Sequence, residues 1–84
     1  MSRILLIEDE PFLSSLLKNR LEKEGFEVAL ARDGDEALSS IKSNKPDLVL
    51  LDLMLPKKSG FELMDEIRKD PKTQAKDLPI IIIS

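Results

Sequence analysis

The chain has 84 residues, 42% of them hydrophobic and 35% charged, with a formal net charge of −3 and a pI near 4.9. It contains no cysteine and no histidine, which excludes a disulfide framework, thiolate or imidazole metal centres, and any Cys–His or Ser–His nucleophile pair; a bound metal must therefore sit on oxygen. The acidic balance argues against a nucleic-acid surface in this segment. Only four apolar residues precede the first acidic pair, too few for a signal-peptide core or a membrane span, so the reading is one small cytoplasmic domain over 1–84.

In chain order, Ile4, Leu5, Leu6 and Ile7 form the first short apolar run, the length of a strand, and Glu8, Asp9 and Glu10 follow it. Pro11 opens a stretch with Leu13, Leu16, Leu17 and Leu21 on one face, and Gly25 closes it, the punctuation of a helix. A second apolar run covers 28–30. Asp33, Gly34 and Asp35 then read as a turn, and Ala37, Leu38 and Ile41 as a shorter amphipathic helix ending near Asn44, before Pro46. The third run, 48–51, leads into Asp52. Beyond it Ser59 and Glu62 stand in capping-box spacing, with Phe61, Leu63, Met64 and Ile67 as the expected buried stripe of a third helix that Pro71 ends. Ile80, Ile81, Ile82 and Ile83 form the fourth run, followed by Ser84.

Continuous apolar runs alternating with helical periodicity are the pattern of strands covered on both faces. The expected fold is therefore α/β, a doubly wound parallel sheet of flavodoxin-like type ordered strand, helix, strand, helix, strand, helix, strand. Such sheets bind ligands outside the carboxyl ends of their strands, and Glu8, Asp9 and Asp52 fall there. Three carboxylates on one rim repel one another, and a hard cation on carboxylates, carbonyls and water relieves that; Mg²⁺ is expected, with Mn²⁺ able to substitute. Glu10 reads instead as negative charge at the first helix N-terminus.

Asp52-Leu53-Met54-Leu55-Pro56, Gly60 after the turn, and a hydroxyl residue, Ser84, after the fourth run join the acidic pair in a combination that resembles the receiver domain of bacterial two-component response regulators. The resemblance covers the whole 84 residues. It implies that Asp52 accepts a phosphoryl group from the phosphohistidine of a sensor histidine kinase. It implies further that Asp9 and Asp52 bind Mg²⁺ directly, that the Met54 carbonyl is a third protein ligand, and that Glu8 acts through water. Glu8 departs from the aspartate usual at its position, which a water-mediated contact can absorb. Ser84 would hydrogen-bond a phosphoryl oxygen. Ser59 stands where the family often carries an acidic residue and reads as a helix N-cap. The Lys57-Lys58 pair reads as solvated charge.

A receiver resembling this one would continue through a further helix, a fifth strand carrying a lysine, and a last helix. The chain is thus expected to be a partial receiver domain with impaired phosphorylation and no catalytic lysine, since Lys18, Lys23, Lys42 and Lys45 fall on or after helices. Its role is regulatory rather than enzymatic, and an output domain outside this segment could bind DNA. The implied strand order 2-1-3-4-5 leaves residues 80–83 as an apolar edge, so the alternative is an interaction fragment that forms a homo-oligomer through this strand. A phosphatase with a nucleophilic aspartate is disfavoured by Met54, where that class needs an acid–base residue. A nucleotide or flavin binder is disfavoured by the lack of a glycine-rich phosphate loop.

Overall fold

The computed structural model describes residues 2–52, 59–70 and 77–83. The elements are β1 (Arg3–Ile7), α1 (Pro11–Lys23), β2 (Glu27–Ala31), α2 (Gly34–Asn44), β3 (Leu48–Leu51), α3 (Gly60–Lys69) and β4 (Ile80–Ile82), the order expected. All pairings are parallel and the sheet order is β2-β1-β3-β4, with Ile7 in register with Ala31 on one side and Leu51 on the other. Parallel neighbours need crossover connections, and a helix in each connection covers the sheet as it returns.

Local chemistry sets the helix starts. Glu10 caps α1 by accepting from the Phe12 and Leu13 amides, and Pro11 takes the first helical position, where its missing N–H costs nothing. Asp33 accepts from the Glu36 amide and caps α2, so Gly34 and Asp35 belong to that helix's first turn rather than to a separate turn. Ser59 accepts from the Glu62 amide and caps α3, as its spacing predicted. Gly25 follows α1 with φ +98, a conformation that favours glycine.

The period of two along each strand divides the core. One face carries Leu5, Ile7, Val49 and Leu51, sealed by Ala37 and Ile41 of α2 and Leu63 and Ile67 of α3. The other carries Ile4, Leu6 and Val28, against which Leu17 and Leu21 of α1 pack. Two expectations for the helices need correction. Phe61 is 60% exposed and contributes nothing to the buried stripe of α3, because Leu63 and Ile67, four residues apart, already define the inward face. Leu13 and Leu16 are also exposed, since Leu17 and Leu21 are the α1 residues that pack against the sheet. At the edge, Ile81 is 50% exposed, and Ile82 and Ile83 are exposed too. Among the described residues β4 pairs with β3 alone.

Candidate metal centre

Glu8 and Asp52 sit on neighbouring strands one residue past the last paired positions, and the ladder extends to hold them. The Glu8 amide donates to the Ala31 carbonyl at 3.0 Å and the Asp52 amide to the Ile7 carbonyl at 3.0 Å. Both backbones are therefore as rigid as the sheet. Asp9, in the connection to α1, completes the group: carboxylate oxygens of Glu8, Asp9 and Asp52 lie within 4.8 Å of one another.

Burial makes this convergence costly. Glu8 is 3% and Asp52 5% exposed, while Asp9 is the more open of the three. Desolvation by burial, then hydrogen bonding to the Asp52 carboxyl and the nearby negative charges of Asp52 and Asp9, push the Glu8 carboxyl up from its ordinary 4.5 to about 7, against a smaller lowering from the Glu10 amide. That amide donates to Glu8 Oε1 at 3.3 Å. With the Glu8 and Asp52 carboxyls both ionised, Glu8 Oε2 is buried and finds no hydrogen-bond donor among the described residues. A buried, unpartnered carboxylate oxygen beside two further carboxylates suits a hard divalent cation, since such an ion supplies both the missing partner and the missing positive charge. The three described donors are all carboxylate oxygens, a set that matches Mg²⁺, which retains waters.

The structure thus brings together Glu8, Asp9 and Asp52. Met54 and Ser84 lie outside the described residues, as do Leu53, Leu55, Pro56, Lys57 and Lys58. Of the lysines set aside, Lys18 and Lys23 are on α1, Lys42 on α2 pairs with Asp70 at 3.7 Å, and Lys45 caps the end of α2. Helices in parallel crossovers run back against the strands, so Lys23, Lys42 and Lys45 are carried away from the acidic rim. Glu10, read as a helix-capping charge, has a second connection to the site through its amide. The only sequence signal for that link was its place two residues after Glu8, where a side chain readily accepts from the backbone.

Residues 4–84 match the family described as the response regulator receiver domain. The chain is 45% identical over 84 residues to the phosphate regulon transcriptional regulatory protein PhoB of Rhizobium meliloti (strain 1021), covering all of this chain and 36% of that protein. It is 45% identical, with a TM-score of 0.85, to a chain in the crystal structure of histidine kinase ThkA in complex with response regulator TrrA, covering 98% of this chain and 67% of that one. It is 31% identical, with a TM-score of 0.86, to the receiver domain of a sensor histidine kinase from Pseudomonas aeruginosa PAO1 with a magnesium ion coordinated in the active-site cleft, covering 99% and 66%. The chain spans about a third of the length of the curated relatives it matches. No described helix is long and apolar enough to cross a membrane. With its parallel sheet, its acidic rim and a match running almost from end to end, the chain belongs to the response regulator receiver domain family.

Proposed function

We propose that this domain takes a phosphoryl group onto Asp52 from the phosphohistidine of a histidine kinase in the cytoplasm, using Mg²⁺ held by Asp9 and Asp52 directly and Glu8 through water. The Met54 carbonyl would complete the protein ligands, and Ser84 would contact the phosphoryl oxygens. The observation carrying this reading is the convergence of three carboxylates at the strand ends, with Glu8 Oε2 buried and meeting no donor among the described residues when the site is ionised. Mg²⁺, when bound, would neutralise the phosphoryl oxygens as charge develops on them.

The remaining work falls to the chain. Its anchored backbone presents the Asp52 carboxylate from a fixed position at the end of β3. A carboxylate oxygen attacks phosphorus in line, the phosphorus–nitrogen bond to the donor imidazole breaks, and the imidazole nitrogen takes a proton from solvent; the product is an acyl phosphate. Phe12, Leu13 and Leu16, exposed at the start of α1, give a donor protein apolar ground beside the site.

Incubation with acetyl phosphate and Mg²⁺ followed by intact mass tests the reading. The expected result is a gain of one phosphoryl group, lost in Asp52→Asn and without Mg²⁺; an unchanged gain in Asp52→Asn would overturn it. Phosphotransfer from a phosphorylated histidine kinase tests the partner in the same way. A second reading, self-assembly through β4, is favoured by the exposure of Ile81, Ile82 and Ile83 at the sheet edge. Light scattering on a polypeptide of residues 1–84 tests it: association is expected, Ile82→Lys should weaken it, and a monomer at high concentration refutes it.

A further inference from the structure

We infer that Glu10 is a positioning residue of the acidic site, fixing the direction of the Glu8 carboxyl while it caps α1. The inference rests on the metal reading above. Glutamate is not among the favoured capping residues, which are the shorter Ser, Thr, Asp and Asn. Here both its oxygens are engaged: Oε1 accepts from the Phe12 amide at 3.2 Å and Oε2 from the Leu13 amide at 2.6 Å. Two bonds to successive amides hold the side chain, and with it a backbone at φ −81 and ψ 115.

The same residue's amide donates to Glu8 Oε1 at 3.3 Å. The connection between β1 and α1 is therefore pinned at both ends, by the Glu8 amide on the Ala31 carbonyl at 3.0 Å and by the Ser14 amide on the Glu10 carbonyl at 3.0 Å. With Oε1 of Glu8 occupied from the helix side, Oε2 is the buried oxygen that meets no donor among the described residues when the site is ionised. The capping bonds have a second effect. They direct the Glu10 charge to the amides at the N-terminus of α1, where the helix dipole favours it, and the carboxylate cluster consists of Glu8, Asp9 and Asp52 without Glu10.

Partners that orient metal-binding groups typically change metal affinity by about tenfold or more when removed. Mg²⁺ titrations followed by amide NMR, reading the dissociation constant rather than phosphorylation, test the role. Glu10→Ala should weaken Mg²⁺ binding about tenfold, and Glu10→Asp, which retains a capping carboxylate, should restore it. Ser15→Gly, an exposed change within α1, should lower the melting temperature and leave the dissociation constant unchanged. If Glu10→Ala melts earlier but binds Mg²⁺ as tightly as the parent, or if Glu10→Asp is as weak as Glu10→Ala, the positioning role is overturned. If Glu10→Ala does not fold, Glu10→Gln, which keeps one accepting oxygen, is judged by the same criteria. Asp9→Asn separates the two levels: lost binding there with unchanged Glu10→Ala removes the positioning role alone, whereas unchanged binding in both removes the metal site and the positioning role together.

Discussion

At the amino ends of β1 and β2, Arg3 donates to Glu27 Oε2 at 2.9 Å and to the Asn44 carbonyl at 2.9 Å, while its amide donates to Asp47 Oδ2 at 2.8 Å. At the carboxyl ends of β1 and β3, carboxylate oxygens of Glu8, Asp9 and Asp52 lie within 4.8 Å of one another. The amino end holds a half-exposed pair of opposite charges, Arg3 and Glu27, with Asp47 bonded to the Arg3 amide. The carboxyl end is a set of like charges, two of them buried. The contrast separates charge that joins elements together from like charge gathered at one rim. Functional sites concentrate groups whose isolated arrangement costs stability.

The strongest way to break this contrast is to neutralise the buried acid. Glu8→Gln should stabilise the metal-free protein at pH 8 by about 2 kcal/mol, because a raised carboxyl pKa measures how much the native state resists that charge. Mg²⁺ should then stabilise the variant less than the parent. Urea melts with and without Mg²⁺ measure both effects; a variant less stable than the parent without Mg²⁺ would mean the acidic end is not under electrostatic stress.

The pH dependence sharpens the same point. In the native state Glu8 holds its proton to about 7, whereas its ordinary value is 4.5. The native state therefore binds more protons than the unfolded chain between those values, and stability must fall as pH rises. The contribution is fully present below 4.5 and lost as pH passes through about 7. The difference in stability between the parent and Glu8→Gln, followed from pH 4 to pH 8 without metal, isolates this group from the other carboxylates. A pH-independent difference would remove the basis for the prediction. With Mg²⁺ present the parent's loss should shrink, since the ion takes the proton's place.

At the amino end the sign reverses. Arg3→Ala should destabilise by about 1 kcal/mol, the scale of an exposed ion pair plus one charge-assisted hydrogen bond, and should leave Mg²⁺ affinity unchanged. Stabilisation there would mean that both ends of the sheet carry unfavourable charge. The smallest effect concerns Lys45, which ends α2 with φ 47, the left-handed conformation that favours glycine. Lys45→Gly should raise stability by about 0.5 kcal/mol and leave phosphorylation untouched, as thermal melts and the mass assay would show.

Much of the fold was legible because it depends on local periodicity. The apolar runs marked the four strands to within a residue or two, and Glu10, Pro11, Ser59 and Gly25 sit at helix ends for reasons confined to their neighbours. Phe61 was misplaced because periodicity marks an apolar face without saying how wide a stripe the sheet can accept. The positions of Glu8, Asp9 and Asp52 after strands were likewise visible in the chain order.

What the sequence by itself determined, then, was the alternation of strand and helix and the identity of the acidic residues, since both follow from residue type and short-range spacing. Only the tertiary structure decided how those acids differ. Residues 8 and 52 are brought side by side by the pairing of β1 with β3, a contact set by sheet order rather than by any local rule. Burial beneath that pairing pushes the Glu8 carboxyl up, because desolvation and neighbouring charge depend on what the folded chain packs around a group.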